Sequence, residues 1–312
     1  MAELPPDPLF TLRGDMGAVH SLLFHLTEDA EYLYASTQSG LVHKWNLKSC
    51  REESKLKISE EACLSLTYFR YKLVSQEKGG GIKIWKEDKH PILEKTIPLD
   101  YWGFCRFGIS DSKYIVCPES SSSIKVINFE GDLIQTLKPP CSEKLGEIMA
   151  LKCLNLSDKS YIFVLYESGL LTLFSCDTGC EVTSCKVSSD CPMALDFDGC
   201  SKCVVGGSGD SILGFELTKG LELIKWKETK ITNPGVSCLA IRPDKRLLAA
   251  GCWDARVRLF SMKTLKLLAV LVNHKDTIHD IRYSPARVRA WDVEWLLAVA
   301  GKDGRVTLWN LY

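Results

Sequence analysis

Seven segments of this chain share one pattern: "SGLVHKW" (39–45), "GGGIKIW" (79–85), "SSSIKVI" (121–127), "SGLLTLF" (168–174), "GDSILGF" (209–215), "DARVRLF" (254–260) and "DGRVTLW" (303–309). Their last residues stand at 45, 85, 127, 174, 215, 260 and 309, at intervals of 40, 42, 47, 41, 45 and 49. Self-similarity at that period is the mark of a four-stranded propeller blade. Each copy opens on small or acidic residues such as Ser39 with Gly40 or Asp303 with Gly304, which supply the positive φ and side-chain hydrogen bonds of a tight hairpin. Three and one positions before the end come Val42, Ile82 with Ile84, Ile124 with Val126, Leu171 with Leu173, Ile212, Val257 with Leu259, and Val306 with Leu308, while the terminal Trp, Phe or Ile alternates to the other face. Sheets that are apolar on both faces suit radial stacking, where each blade packs on two neighbours. Lys44 and Gly214 break the column and mark the first and fifth blades as less regular.

Other strands precede each copy, as in "VSCLAIRPDKRLLAAG" (236–251), and an outer strand follows it, as in "TLKLLAVLV" (264–272). No such strand follows Trp309. An exposed strand edge invites aggregation, so something is expected to cover "RVTLWNLY". The segment "DPLFTLRGD" (7–15) has the shape of an outer strand entering a new blade. The expectation is therefore an all-β, seven-bladed β-propeller, one domain over 1–312, closed by the N-terminal strand pairing with the last blade.

Composition narrows the function. The 39 basic and 39 acidic side chains cancel, which leaves no electrostatic footprint for nucleic acid or anionic lipid. "MAELPPDPLF" lacks the basic and apolar regions of a secretory signal, and apolar runs such as 267–272 are too short to span a bilayer. A soluble protein of the cell interior, cytoplasmic and nuclear, is expected, and its fourteen cysteines are expected to stay reduced. Six of them lie between Cys176 and Cys203, separated by three, four, five, eight and two residues. That gives one Cys-x-x-Cys, Cys200 with Cys203, and no second pair or nearby histidine to complete a zinc site. Most are read as small buried apolar residues.

Catalytic motifs are imitated rather than present. "VVGGSGDS" (204–211) lacks the Gly-Lys-Ser/Thr ending of a phosphate loop and occupies the hairpin column of the fifth blade, and "EKGGGIK" (77–83) fails likewise. No local His arrangement marks a nucleophile and its base. No enzyme, cofactor or metal is expected.

The sevenfold pattern resembles the WD-repeat family, with eroded signatures. Gly14 and Asp15 stand where Gly-His would, His274 lacks its glycine, and the closing dipeptide is Trp-Asn at Trp45 and Trp309. A hydrogen-bonded tetrad is expected to survive best in the seventh repeat, through His274, Asp303 and Trp309. The stretches "STQSGLVHKWNL" (36–47), "GFCRF" (103–107), "TLKPPCSEKLG" (136–146), "ALDFD" (194–198) and "ITNPGVSCLAIRPDKRLLAAGCWDARVRLF" (231–260) resemble the G-protein-β-like, ASTRA-associated branch of that family. The resemblance implies a non-enzymatic scaffold that works with the TTT co-chaperone and RuvB-like ATPases to mature and stabilise phosphatidylinositol-3-kinase-related kinases, as a monomeric propeller within a larger complex. Two alternatives are a G-protein-β-like signalling adaptor and a ubiquitin-ligase substrate receptor. Against the first, about six residues precede the first strand, with no heptads for a γ partner. Against the second, the "WDAR" of Trp253 to Arg256 falls in a turn, whereas the ligase-docking box of the family ends the third strand, here Phe260.

In a propeller the turn between second and third strands shares a face with the connection entering from the previous blade. Thus "KITNPG" (230–235), "CWDAR" (252–256), "NHKD" (273–276) and "GKDGR" (301–305) are expected to gather, making Asn233, Trp253, Arg256, His274 and Lys302 the candidate protein-binding residues. Trp and Arg are enriched at binding hot spots. The plainer alternative folds Trp253 onto its own blade and leaves Asp254 as a turn cap. A rival patch, Arg287, Arg289 and Trp291 of "SPARVRAWDVEW" (284–295), reads as a mobile insertion.

Overall fold

The computed structural model describes residues 6–86, 91–110, 113–119, 122–139 and 144–311. Residues 1–5, residue 121 of the third repeat copy and 140–143 of the "TLKPPCSEKLG" stretch lie outside the described residues. Two compact units emerge, 1–98 with 237–312, and 99–236. The first begins with β1 (Phe10–Arg13), β2 (Val19–Leu26), β3 (Glu31–Thr37), β4 (Leu41–Asn46), β5 (Arg51–Lys57), β6 (Cys63–Phe69), β7 (Lys72–Glu77), β8 (Gly81–Lys86) and β9 (Ile92–Ile97). Next come β10 (Gly108–Ser110), β11 (Tyr114–Pro118), β12 (Ile124–Asn128), β13 (Leu133–Leu137), β14 (Ile148–Leu156), β15 (Lys159–Tyr166) and β16 (Leu170–Ser175). The second unit continues with β17 (Glu181–Lys186), β18 (Pro192–Phe197), β19 (Lys202–Gly207), β20 (Ser211–Leu217) and β21 (Leu223–Lys230). Returning to the first unit, the chain forms β22 (Val236–Ile241), β23 (Leu247–Cys252), β24 (Arg256–Ser261), β25 (Leu267–Val272), β26 (Ile278–Tyr283), β27 (Leu296–Gly301) and β28 (Arg305–Asn310).

These strands, with no helix among the described residues, make seven four-stranded sheets, the blades of a seven-bladed β-propeller. Six sheets take four consecutive strands, from β2-β3-β4-β5 to β22-β23-β24-β25, and the seventh has the order β1-β28-β27-β26. Every repeat copy ends as a third strand. In six blades a register shift falls beside the copy's last residue, for instance between Lys44 and Trp45 and between Leu259 and Phe260. Such bulges bend the strand and add twist. The two irregular copies have their own compensations. Lys44 lays its ammonium 3.8 Å from the centre of the Tyr32 ring. At Gly214 a Cβ would come 2.7 Å from the Trp226 indole, so the missing side chain makes room for a tryptophan from the outer strand.

The seventh blade is completed from the N-terminus, as the repeat requires. Strand β1 pairs antiparallel with β28, Phe10 opposite Leu308 and Leu12 opposite Val306, and the Leu9 amide donates to the Leu308 carbonyl at 2.8 Å. Leu12 is fully buried with Val306 and Leu308, a burial that contributes about 2 kcal/mol. Blade seven is also bound to blade one at its inner strand, where Asp280 accepts the Leu22 amide at 2.8 Å and His279 Nδ1 donates to the Val19 carbonyl at 3.1 Å.

The 284–295 segment corrects the expectation of a mobile insertion. Val288 and Val293 bridge one another and are buried in the core that blade seven shares with blade one. The backbone amides of Arg289 and Ala290 donate to the two carboxylate oxygens of Glu31 at 2.7 and 2.8 Å. The Arg289 guanidinium also reaches the Glu28 and Thr27 carbonyls at 2.8 and 2.6 Å, and the Trp291 indole donates to the Leu47 carbonyl at 2.7 Å. Arg289 and Trp291 therefore belong to a latch between two blades. A segment without a copy elsewhere in the chain reads as surplus, although its apolar pair and tryptophan are what seat it.

The tetrad of the seventh blade is complete, and its fourth member is Thr307. His274 lies between Asp303, with Nδ1 3.0 Å from Oδ1, and Thr307, with Nε2 3.0 Å from Oγ1; Thr307 Oγ1 accepts the Trp309 indole at 2.8 Å, and the Lys275 amide donates to Asp303 at 2.9 Å. In blades two, three and six a cation occupies the Thr307 position and pairs with an acid on the same hairpin. Lys83 meets Glu77 at 2.7 Å, Lys125 meets Glu119, and Arg258 meets Asp254 at 2.7 Å. Lys83 also donates to the Ile58 carbonyl at 2.6 Å and so ties the entering connection to the third strand, as His274 does in blade seven.

Burial would raise the Glu31 carboxyl, but the hydrogen bonds from Arg289 and Ala290 and the nearby guanidinium hold it below the usual carboxylate range. A carboxylate whose folded pKa is depressed contributes stability that is present above its unfolded pKa and lost as pH falls through the folded one. Glu31→Gln is expected to cost about 1–3 kcal/mol at neutral pH and to lose less stability than the native chain as pH falls from 7 to about 3, since the carboxylate's contribution is lost below its ordinary pKa of 4.5. Thermal melts across that range check this, and an equal acid loss in both proteins contradicts it.

Candidate protein-docking loops

The β23–β24 turn is built from Trp253, Asp254 and Ala255, and Ala255 takes the left-handed conformation at φ 63. Asp254 grips both terminal nitrogens of the buried Arg258, at 3.0 and 2.7 Å, and accepts the Arg256 amide at 3.3 Å. A bidentate carboxylate–guanidinium pair fixes direction as well as energy. The turn is thereby anchored through Asp254, which caps it, while Trp253 remains 43% exposed. Of the plainer alternative the aspartate half occurs, since Asp254 caps the turn, whereas Trp253 stays exposed and is not folded away onto its blade. Arg256 is exposed, its guanidinium 3.9 Å from Asp254.

Hydrogen bonds join this turn to its neighbours in blade seven. The Trp253 carbonyl accepts Thr277 Oγ1 at 3.4 Å, and the Thr277 carbonyl accepts the Lys302 amide at 2.8 Å. The loops 252–256, 273–277 and 301–305 therefore meet around Thr277, bringing together Trp253, Arg256 and the exposed Lys302, whose ammonium is 3.8 Å from Asp276. His274 lies at the same place but is only 7% exposed and held inside the tetrad, so it frames the loops and does not form their surface. Its partner Asp303 is held below the usual carboxylate range, since burial, which raises it, is outweighed by the hydrogen bonds from His274 and Lys275. Asn233 is exposed in the other unit, on the connection after β21. Thr277 and Thr307 were absent from the sequence-based site. Thr307 had a signal, since it stands two places before a terminal tryptophan, whereas Thr277 has none.

The glycine loop of blade five is a hairpin. The Ser208 amide donates to the Cys191 carbonyl at 2.9 Å and the Gly235 amide to the Gly209 carbonyl at 3.1 Å, and a Cβ on Gly207 would lie 2.3 Å from the Cys191 carbonyl oxygen. These bonds tie the turn to the neighbouring connections of the backbone, as a hairpin between β19 and β20 requires. Among the described residues no three His, Cys, Asp or Glu side chains converge as a metal set, and the thirteen described cysteines are free thiols. Cys63, Cys105, Cys117, Cys203, Cys238 and Cys252 are buried, and Cys180 and Cys200 are exposed. Burial pushes the Cys252 thiol up to about 11 and the Cys203 thiol well above its ordinary value, which keeps both protonated and inert. Trp253 stands in the turn and Phe260 within β24, so "WDAR" is not at a third-strand end.

Comparison with known proteins converges on the same units. The family described as "WD domain, G-beta repeat" matches residues 227–261 and 265–310, which run from the end of β21 through β28. The guanine nucleotide-binding protein subunit beta-like protein 1 of Mus musculus is 29% identical over 99% of this chain and 97% of its own length. ASTRA-associated protein 1 of Schizosaccharomyces pombe is 24% identical over 98% of this chain and 99% of its own, and that of Schizosaccharomyces japonicus is 24% identical over 98% and 99%. The two matched segments end where periodicity and strand pairing end the sixth and seventh repeat copies, so the chain carries WD40 repeats over residues 227–261 and 265–310.

Proposed function

We propose that this chain is a non-enzymatic scaffold in an assembly of the ASTRA type, acting with the TTT co-chaperone and RuvB-like ATPases in the maturation and stability of phosphatidylinositol-3-kinase-related kinases. The observation that carries this reading is likeness along essentially the whole length to proteins named as ASTRA-associated. The geometry agrees with it. The hydrogen-bonded loops around Thr277 present Trp253 and Arg256, residue types enriched at binding hot spots, with the exposed Lys302 beside them. Such a scaffold works as a monomer within the larger assembly, in the cytoplasm and nucleus.

Changing Trp253 and Arg256 together to alanine is expected to leave the melting temperature within a few degrees of the native value, because Asp254 and Arg258 still hold the turn. Recovery of the TTT co-chaperone by affinity purification should fall severalfold. Full recovery of every partner by a folded double variant would remove this surface from the account. Calorimetric titration of the native protein with ATP and GTP is expected to give no saturable heat, and saturable micromolar binding of either would contradict a purely structural role.

A further inference from the structure

Outer strands carry the exposed edges of a propeller, and charge is the usual protection of such edges. Strand β5 reads "REESKLK", β9 "ILEKTI", β17 "EVTSCK" and β21 "LIKWKETK"; β1 "FTLR" has an arginine and β13 "LIQTL" keeps Gln135 and Thr136. Strand β25 reads "LLAVLV" and, alone among the seven described outer strands, has no polar side chain. Its inner side pairs with β24 from Arg256 opposite Val272 to Phe260 opposite Leu267. Leu271 is buried there, but Leu267, Leu268 and Val272 are 45%, 53% and 61% exposed. An apolar edge without charge is a template for another strand.

The surrounding charge selects the occupant. At the start of β25 lie the exposed Lys263 and Lys266, and the Met262 amide donates to the Arg246 carbonyl at 2.9 Å, which brings the exposed Lys245 and Arg246 to the same end. Asp244, the neighbour of Lys245 in sequence, pairs with Arg242 at 2.7 Å. Beyond the other end are the exposed Arg256 and Lys275. A second copy paired antiparallel would set lysines of one chain against Arg256 and Lys275 of the other, a repulsive arrangement. We propose that β25 is a β-augmentation site for an extended segment of another protein, apolar at alternate positions, running antiparallel and followed at its C-terminal end by an acidic run that meets Lys245, Arg246, Lys263 and Lys266. Antiparallel addition gives the better-aligned hydrogen bonds, and the acidic run supplies attraction and register.

The probe is a labelled peptide, acetyl-Thr-Val-Thr-Val-Thr-Val-Gly-Glu-Glu-Asp-Glu-amide, titrated with the intact chain by fluorescence anisotropy. Saturable binding is expected, weakened at least about tenfold by Leu268→Lys, by glutamine in place of the acidic residues, and by proline at the central valine, which cannot donate to the ladder. Leu268 is half exposed, so its lysine variant should fold, and Val272→Lys at the other exposed end serves as a second variant. Absence of saturable binding, or binding indifferent to both lysine variants and to the central proline, overturns the proposal. A concentration-dependent dimer of the native chain that Leu268→Lys dissolves would also overturn it, by assigning the edge to a second copy.

Discussion

Blade seven is one sheet made from distant parts of the sequence, and the first unit depends on that junction. Without β1, the apolar column of β28 loses Leu12, and the sheet that carries the complete tetrad ends on an unpaired strand. A strand pairing of four residues would be a weak fastening by itself. It is reinforced at the inner strand by Asp280, through the Leu22 amide, and at the loop end by Glu31, which holds two backbone amides of the 284–295 segment. Each of these carboxylates is buried and hydrogen-bonded, and removing a partner from such a group costs more than the bond contributed.

The same logic explains how the repeats persist after their signature residues have gone. In blade seven a chain of hydrogen bonds, Asp303 to His274 to Thr307 to Trp309, ties the entering connection to the third strand. In blades two, three and six the position of Thr307 holds Lys83, Lys125 or Arg258, and an ion pair to an acid of the same hairpin does the fastening. The exchange is not neutral in kind. Arg258 is buried in its pair, and a buried ion pair tolerates loss of neither partner, whereas the Lys125 pair is more exposed. In blade six the pair has a further use, because Asp254 and Arg258 hold the turn that carries Trp253.

The period and the alternation of apolar residues made the seven third strands legible, and the missing outer strand after Trp309 pointed to residues 7–15. These are features that recur, so each copy checks the others. What the sequence concealed was of a different sort. Glu31 and Arg289 are 258 residues apart and belong to no repeated column, so nothing local marks them as partners. The 284–295 segment looked like surplus because no other blade has one, although its buried Val288 and Val293 are the ordinary sign of a seated hairpin. Of the candidate docking residues, Trp253, Arg256 and Lys302 surround Thr277, as the loop order required. His274 was placed correctly in the tetrad, and the same placement encloses it. A residue can sit at the right end of a blade and still be consumed by the fold, and only burial separates the two cases.

The claim on which this account rests is that the N-terminal strand is an integral member of the last blade. Native-state amide hydrogen exchange of the intact chain measures it most directly, since a strand that opens only with its sheet exchanges with the free energy of that sheet. The ladder amides of Phe10–Arg13 are predicted to share the opening free energy of those in Arg305–Asn310 and to lose protection together with them. Rapid exchange of the first strand beside a fully protected β28 would contradict the account, because it would show a blade that is stable without its N-terminal edge.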